Sequence, residues 1–412
     1  MFLYGIITTI LFFITLPFYY LIRVINGKYL YGWDKKMGFF KSPDFKEKTI
    51  MLHAVSVGEV IAIENLAKQI KKSFPQCKLI ITTSTKTGQE IALKKLENTA
   101  DFITYFPFDI PCAVNKFLKK TKPDIVLIAE TEIWPTFAYI CKKRNITLYT
   151  INARISDSTY KSYRLLKIFF KQIFKNYAGI LCQSEEDRKK IINIGASENI
   201  VKMMGNLKFD VKKSEEIFDL KQNSNRVIIA GSTHLGEDEI AIDTFVKLKQ
   251  QFKDIKLVLA PRHLNRNELI EDLLKNTKLN HGFKSKNADF ENNDIIVLDT
   301  LGELGKTYSI CDFAFIGGSF NKTGGHNPLE AIVYGKPVIT GASIHNFKDI
   351  YWILAQTKAG KIVSTQEELY EYMMKLLIDK DYYEQACKDS QTVFTNQQGA
   401  LNRVIDVLKK HV

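Results

Sequence analysis

Acidic side chains that could carry acid–base chemistry follow two short apolar runs of the sequence. Glu59 closes the segment HAVSVGE after the run at 49–55, and Glu130 and Glu132 lie in AETEIWP after the run at 125–129. A carboxylate with a suitable pKa and reach can act as a general base toward an acceptor hydroxyl. We therefore take these carboxylates as the first candidates for chemistry.

Each carboxylate also has a structural interpretation. Glu59 lies three residues after Ser56, which is the spacing of a helix-capping box, so the motif alone is at least as typical of capping as of catalysis. Glu130 and Glu132 lie two residues apart, and we expect that one is structural while the other faces the site. Paired carboxylates also occur in glycosidases, but nucleotide-type features later in the chain favour transfer over hydrolysis.

Two cations are further candidates for the site. Lys208 lies in GNLKFD, and Arg262 follows Pro261 in the segment APRH. An isolated lysine is usually a solvated surface residue, but a position at a hinge between domains favours neutralisation of developing negative charge by Lys208. The guanidinium of Arg262 suits bidentate binding of phosphate.

The most specific pattern is glycine-rich. The segment GGS at 317–319 precedes GGHNPLE at 324–330, and LGE at 301–303 opens a predicted helix. Glycine permits close approach of a backbone to a ligand, and Pro328 fits a first helical turn whose N-terminus carries partial positive charge. Glu330 could accept hydrogen bonds from ribose hydroxyls. A further turn, AGSTH at 230–234, could present N–H groups to phosphate.

These candidates are positioned by an alternation of apolar runs with amphipathic stretches. Such alternation predicts parallel sheets covered by helices on both faces. The predicted strands are at 49–55, 79–83, 103–106, 125–129, 147–151 and 179–182, and then at 226–230, 257–260, 295–298, 313–317 and 337–340. A polar stretch at 212–225 separates the two sets. We expect an α/β fold with two Rossmann-like domains that face each other across a cleft and bind ligands at their strand ends.

The charge of the chain is unevenly distributed. The net charge is +13, but residues 1–212 hold 33 Lys and Arg against 18 Asp and Glu, whereas residues 213–412 hold 25 against 27. A basic half suits anionic lipid at about 1 kcal/mol per cation near the membrane surface. We find no aromatic–basic recognition motif, so an anionic membrane surface is favoured over nucleic acid. The six cysteines show no metal or disulfide spacing, which is typical of a reducing compartment.

The N-terminus predicts membrane attachment. Residues 1–22 carry no charged side chain, and roughly 20 such residues span a bilayer as a helix. Arg23, Lys28 and Lys35 follow, which places the rest of the chain in the cytoplasm by the positive-inside rule. The basic n-region and cleavage site of a signal peptide are missing. We expect an inner-membrane anchor, single-pass or, because Pro17 can break the helix, monotopic.

At these motifs the sequence closely resembles the bacterial 3-deoxy-D-manno-octulosonic acid (Kdo) transferases, which have the GT-B fold. The resemblance runs almost end to end. It rests on the membrane segment, HAVSVGE, PFD at 107–109, AETEIWP, NAR at 152–154, QSEED at 183–187, GNLKFD, PRH, GGSF and GGHNPLE. One departure is at 33–38, where relatives commonly show Trp-x-Glu-Arg-x-Gly and this chain reads WDKKMG.

The resemblance implies transfer of Kdo from CMP-Kdo to lipid IVA, a lipid A precursor, in lipopolysaccharide biosynthesis. It implies that Glu59 is the catalytic base, with Glu130 and Lys208 as transition-state stabilisers. The implied CMP contacts are Pro261, Arg262, Leu301, Gly302, Glu303, Asn327, Pro328, Leu329 and Glu330. It favours Glu59 as a base over Glu59 as a cap.

We expect an anchor at 1–24, an acceptor domain at 25–212, a donor domain at 213–395, and a final helix at 396–412 that packs back on the first domain. We see no Asp-x-Asp metal site, and we expect catalysis with inversion that needs no metal or other cofactor. Two alternatives remain: a transferase that uses UDP-N-acetylhexosamine, and a nucleotide-binding membrane adaptor without chemistry. The sequence does not identify a protein partner.

Overall fold

The computed structural model describes residues 2–25, 31–214, 216, 220 and 226–412. The chain divides into two compact units, and we call Met1–Asp210 with Gln397–Val412 the N-terminal unit and Val211–Asn396 the C-terminal unit. Lys28 and most of the polar stretch at 212–225 lie outside the described residues. The predicted α/β class with two Rossmann-like parallel sheets is confirmed.

The N-terminal unit is built on a seven-stranded parallel sheet. Its strands are β1 Thr49–His53, β2 Lys78–Thr83, β3 Phe102–Tyr105, β4 Ile125–Ala129, β5 Thr147–Ala153, β6 Gly179–Cys182 and β7 Val201–Met203. The strand order is β3-β2-β1-β4-β5-β6-β7, so the order reverses between the neighbours β1 and β4. Every residue of these two central strands is buried, as expected for strands that are covered on both faces.

Helices cover both faces of this sheet. They are α1 Phe2–Ile25, α2 Trp33–Lys36, α3 Val57–Ser73, α4 Lys86–Leu96, α5 Pro111–Thr121, α6 Pro135–Lys143, α7 Asp157–Leu165, α8 Lys167–Phe174 and α9 Glu185–Asn193. Because side chains alternate along a strand, Ile50 and Leu52 enter the core beneath α3, whereas Met51 enters the core beneath α5 and α6. Both faces of the sheet are therefore sealed by apolar side chains.

The C-terminal unit repeats this arrangement. Its strands are β8 Arg226–Thr233, β9 Ile255–Pro261, β10 His281–Phe283, β11 Ile295–Val297, β12 Phe313–Ile316, β13 Val338–Thr340 and β14 Gly360–Ile362. Its helices are α10 Glu237–Gln251, α11 Asn267–Lys275, α12 Leu304–Thr307, α13 Leu329–Ile332, α14 Lys348–Ala355, α15 Gln366–Ile378 and α16 Lys380–Gln397. The order β10-β11-β9-β8-β12-β13-β14 reverses between β8 and β12. Ligands of open parallel sheets bind at such reversals.

The last helix, α17 Ala400–Leu408, packs on α3 in the N-terminal unit. The Asp210 carboxylate accepts hydrogen bonds from the N–H groups of Gly399 at 2.6 Å and Leu401 at 2.5 Å. The first N–H groups of a helix have no intrahelical partner, so this carboxylate stabilises the start of α17. Asp210, the last residue of GNLKFD, thereby ties the chain's end to its first sheet.

Helix α1 packs against the rest of the N-terminal unit through aromatic rings. The ring centroids of Phe12 and Phe108 are 5.0 Å apart, and those of Tyr4 and Phe169 are 5.4 Å apart. Among the described residues, no helix combines the length and the apolar character that crossing a bilayer requires. The predicted membrane-spanning anchor is therefore unsupported by the structure.

The predicted strands fall on the central strands of the two sheets and on the edge strand β3, while the three other edge strands were not predicted. Strands β4 and β6 have the predicted bounds, and the others differ by a few residues at their ends. Strands β7, β10 and β14 each contain three residues. A run of that length shows neither alternation nor a sustained apolar pattern.

Candidate active site

The Glu59 carboxyl lies in the first turn of α3, directly beyond the carboxyl end of β1. It is 9% exposed and accepts hydrogen bonds from the Val55 N–H at 2.8 Å and the Ser56 hydroxyl at 3.0 Å. The Ser56 side chain accepts no N–H from the first turn of α3, all of whose residues are described. Glu59 accepts from the N–H of Val55, the residue before the N-cap, so neither bond of the reciprocal capping box that the sequence allowed is formed. The carboxylate is held beside the sheet edge.

Burial raises the pKa of the Glu59 carboxyl to about 7, because the charged form loses contact with water. The hydrogen bond from Val55 opposes this shift, whereas the nearby Glu130 and Glu132 carboxylates raise the pKa further. A carboxyl group with a pKa near neutrality can accept a proton from a hydroxyl and release it again. The geometry and electrostatics of Glu59 thus fit a general base.

Glu130 and Glu132 lie just beyond the neighbouring strand β4. Glu130 has φ 56°, in the left-handed region, so the backbone turns there and does not continue the strand. Burial and the Glu130 charge raise the pKa of Glu132. The Arg154 Nε atom lies 3.8 Å from Glu130 Oε2 and is a local counter-charge. Both carboxylates therefore contribute to the field at Glu59.

Lys208 lies in a 3₁₀ turn, Leu207–Phe209, that contacts α3. A buried amide network holds this turn at the ends of β5, β6 and β7. Asn152 Oδ1 accepts from the Leu207 N–H at 3.1 Å, Gln183 Nε2 donates to the Asn152 carbonyl at 3.1 Å, and Asn206 Nδ2 donates to Gln183 Oε1 at 3.2 Å. Because each amide is at least nine-tenths buried, loss of one would leave its partners unsatisfied.

These amides lie in the motifs NAR, QSEED and GNLKFD, but the sequence alone indicated no role for them. Asp109, in the PFD segment, is a similar case: its carboxylate accepts from the N–H groups of Thr136 at 3.0 Å and Phe137 at 2.7 Å. It thereby fixes the start of α6 immediately after the AETEIWP loop. No periodic pattern marks such positions, since each depends on a partner that is distant in sequence.

In the C-terminal unit, Pro261 ends β9 and Arg262 follows it. The Arg262 N–H donates to the Thr233 carbonyl at 2.9 Å, which joins the ends of β8 and β9, while its side chain is exposed. Burial raises the pKa of Glu330, and Asn327 and the Arg262 charge oppose that shift. The structure therefore brings the predicted donor residues Arg262, Asn327 and Glu330 into one neighbourhood.

The segment 301–303 lies close to Glu330. A cavity of 380 Å³ is lined by Gly302, Gly305, Lys306 and Glu330, among others. Glu303 pairs with Lys306 at 3.1 Å, and the Leu301 side chain is 85% exposed. The remaining predicted residues, Pro328 and Leu329, are buried at the start of α13, so their side chains shape the turn.

The AGSTH turn differs from its prediction. Gly231 lies inside β8, and a Cβ atom there would collide with the Tyr308 hydroxyl, so packing requires this glycine. Helix α10 begins with three acidic residues, Glu237, Asp238 and Glu239. A phosphate is therefore disfavoured at the first N–H groups of this helix, which argues against the prediction that the AGSTH turn presents N–H groups to phosphate.

Glu237 occupies the N–H groups that a ligand could have used. Its carboxylate is 1% exposed and accepts from His234, Gly318, Ser319 and Phe320 at 2.6–2.9 Å. The loops after β8 and β12 thus fold around an internal anion. The glycines that do need unusual backbone angles are Gly318, Gly324 and Gly325, with φ of 70°, 101° and 75°.

Among the described residues, no group of three or more His, Cys, Asp or Glu side chains is placed to hold a metal ion.

Comparisons with known proteins place the chain in a family. A sequence profile described as "3-Deoxy-D-manno-octulosonic-acid transferase (kdotransferase)" matches residues 31–211. A 3-deoxy-D-manno-octulosonic acid transferase of Haemophilus influenzae is 32% identical over 402 residues, which cover 95% of this chain and 94% of that protein. A protein of the same description from Rickettsia bellii is 33% identical, with coverage of 91% and 93%.

A solved structure supports the fold alone. UDP-GlcNAc 2-epimerase from Neisseria meningitidis, bound to UDP-GlcNAc, aligns with a TM-score of 0.54 at 16% identity and covers 88% of this chain and 100% of its own. Two parallel sheets with carboxylates and cations at their carboxyl edges define an α/β protein that shares its fold with this epimerase. The chain belongs to the family of 3-deoxy-D-manno-octulosonic acid transferases. Membership supports transfer of Kdo in lipopolysaccharide biosynthesis.

The field at Glu59 predicts a measurable pH dependence. A general base must be deprotonated, so kcat/KM should rise with pH through an apparent pKa of about 7. Glu130→Gln removes a like charge, which lowers the pKa of Glu59 and should move this rising limb to lower pH. The measurement is kcat/KM against pH for both proteins, with Glu198→Gln at an exposed site as the control. An unmoved limb in Glu130→Gln would contradict the electrostatic coupling.

Proposed function

We propose that the chain transfers Kdo from CMP-Kdo to a sugar hydroxyl of lipid IVA, with inversion at the anomeric carbon. The observation that carries this proposal is the buried Glu59 carboxyl, with a pKa of about 7, at the point where the strand order reverses beside Glu130. A nucleotide-binding adaptor would have no need for a base tuned in this way. Family membership supports the sugar, and the motif residues support the nucleotide.

In this mechanism Glu59 removes the proton of the acceptor hydroxyl as its oxygen attacks the anomeric carbon of Kdo. The bond from that carbon to the phosphate oxygen breaks, and CMP leaves with the bonding electrons. Lys208 and Arg262 are cations that would stabilise the negative charge of the transition state and of the departing phosphate. The Glu130 carboxylate raises the pKa of Glu59, and Arg154 is the counter-charge of Glu130.

Different residues of the C-terminal unit bind different parts of the nucleotide. Arg262 suits the phosphate because its exposed guanidinium offers paired donors. Glu330, which lines the cavity with Gly302, can accept from ribose hydroxyls. Pro261, Leu301, Glu303, Asn327, Pro328 and Leu329 complete the proposed CMP contacts.

We further propose that the N-terminal unit lies on the cytoplasmic face of the inner membrane as a monotopic protein. Exposed apolar side chains support this: Leu165 is 88% and Ile168 is 83% exposed, and Phe18 of α1 is 68% exposed. Five exposed cations flank the first two, namely Lys161, Arg164, Lys167, Lys171 and Lys175. An apolar face with a cationic rim is typical of helices that lie in the interface of anionic membranes.

The first test concerns the base and the substrates together. Glu59→Ala should lower the rate of Kdo transfer by about 10²–10⁴-fold, the usual contribution of a general base. Purified protein is incubated with CMP-Kdo and lipid IVA, and the lipid product is weighed by mass spectrometry. Glu64→Ala, on the same helix at a partly exposed position where the carboxylate pairs with Lys68 and Lys95, is the matched control and should keep the wild-type rate. Wild-type-like turnover by Glu59→Ala would remove Glu59 from the mechanism.

We propose that transfer needs no metal ion, since Arg262 and Lys208 supply positive charge. Turnover of CMP-Kdo and lipid IVA should be unchanged in excess EDTA. Loss of activity that added Mg²⁺ restores would show this to be wrong.

The membrane proposal predicts salt-sensitive binding to vesicles of phosphatidylethanolamine and phosphatidylglycerol. Replacing Leu165, Leu166 and Ile168 by serine should reduce the fraction that co-sediments, and high salt should reduce it further. Leu269→Ser, an exposed leucine of the C-terminal unit, is the control. Equal sedimentation of the triple variant and wild type would refute the assigned face.

A further inference from the structure

Two imidazoles meet where the strand order of the C-terminal unit reverses. His234 follows β8 and His326 follows β12, and their Nε2 atoms are 2.8 Å apart. The rings are nearly parallel, at 9°, with centroids 5.1 Å apart. His263, which follows β9, presents its ring at 85° to His234, with centroids 5.4 Å apart. Three strand ends therefore contribute imidazoles to one point on the sheet edge.

The surrounding backbone is arranged to place this pair. Glu237 accepts from the His234 N–H at 2.9 Å, which fixes the loop after β8. A Cβ atom on Gly318 would lie 2.7 Å from His326 Cδ2, so only glycine leaves room for the ring. The Tyr351 hydroxyl donates to the His326 carbonyl at 2.9 Å. The loops after β8 and β12 thus hold the two imidazole rings in place.

Two nitrogens in contact at 2.8 Å require one proton between them, so one Nε2–H donates and the other Nε2 accepts. Burial lowers the pKa of His326 to about 4, and the charges of His234 and Arg262 lower it further. Burial also lowers the pKa of His234, with His263, Arg266 and Arg262 in the same direction and Glu237 against them. Both rings are therefore neutral near pH 7 when no ligand is bound.

The charged groups beside the imidazole pair favour the binding of an anion. Arg266 is paired with Asp238, and Glu237 is occupied by backbone N–H groups, but the Arg262 side chain is exposed. An anion bound here would offset Arg262 and favour protonation of the imidazoles, which would then offer both Nε2–H groups as donors. The loop N–H groups at 318–320 cannot serve instead, since Glu237 already accepts from them.

We propose that the His234–His326 pair binds an anionic group of the nucleotide-sugar donor, its phosphate or the sugar carboxylate, and takes up a proton as it does so. This inference rests on the proposed function, because it takes the donor from there. It adds two residues to the donor site and makes donor binding sensitive to pH. Affinity should rise as pH falls toward 6, since the ligand-bound pair has the higher pKa.

The test is calorimetric titration of CMP into the full chain at neutral pH, in buffers of different ionisation enthalpy, which measures protons taken up. Wild type should take up as much as one proton per CMP. His326→Gln should abolish the uptake and weaken CMP binding about tenfold, corresponding to roughly 1.4 kcal/mol. Cytidine, which lacks the phosphate, should bind both proteins equally. His281→Gln, at the opposite edge of the sheet, is the matched control and should behave as wild type.

A second measurement separates binding from a merely structural role. Because the two rings share one proton, the double variant His234→Gln/His326→Gln should be no worse than either single variant. Proton uptake on binding of CMP would show that the pair binds the phosphate. Proton uptake only with CMP-Kdo would show that the pair binds the sugar carboxylate. CMP binding to wild type with no uptake from either ligand, or equal uptake in His326→Gln, overturns this inference alone. Failure of wild type to bind CMP or CMP-Kdo overturns the proposed donor and this inference together.

Discussion

Burial of the Glu59 carboxyl beside two further carboxylates is the interaction around which the N-terminal unit is arranged. A charged group inside a sheet edge is costly, and the protein offsets only part of that cost with the Val55 N–H and the Ser56 hydroxyl. The result is a proton acceptor near neutrality. The apolar layers on both faces of β1 and β4 keep this environment in place, because they exclude water from the strands that carry the loops.

The C-terminal unit contains a second glutamate in the first turn of the helix that follows its first strand, and the contrast explains how one arrangement serves two purposes. Glu59 is the third residue of α3, whereas Glu237 is the first residue of α10. Glu237 accepts four backbone N–H groups, which makes it a structural anion that closes two loops. Glu59 accepts one N–H and one hydroxyl. Hydrogen bonding, rather than residue type, therefore separates a fixed anion from a candidate base.

Backbone strain gathers at the same edges. Glu130, Asn152 and Ser232 are non-glycine residues in the left-handed region, and each lies at the carboxyl end of a strand or just beyond it. Such conformations persist only where surrounding contacts hold them, as the hydrogen bonds of Asn152 with Leu207 and Gln183 do.

The sequence by itself determined the fold class, the central strands and the family. Continuous apolar runs predict buried parallel strands, and ordered motifs along the whole chain indicated Kdo transferases. Both follow from patterns local to each segment. Only the tertiary structure decided what depends on distant partners. Ser56 and Glu59 fit a cap or a base in the sequence alone, and the burial of Glu59 beside Glu130 is a tertiary feature that favours the base. Gly231 matched a phosphate turn until Tyr308 was found against it. His234 and His326 are 92 residues apart, and their contact exists because β8 and β12 are neighbours in the sheet. Local sequence encodes secondary structure and motif, whereas pKa, strain and side-chain pairing arise from the low-polarity surroundings that only the folded chain provides.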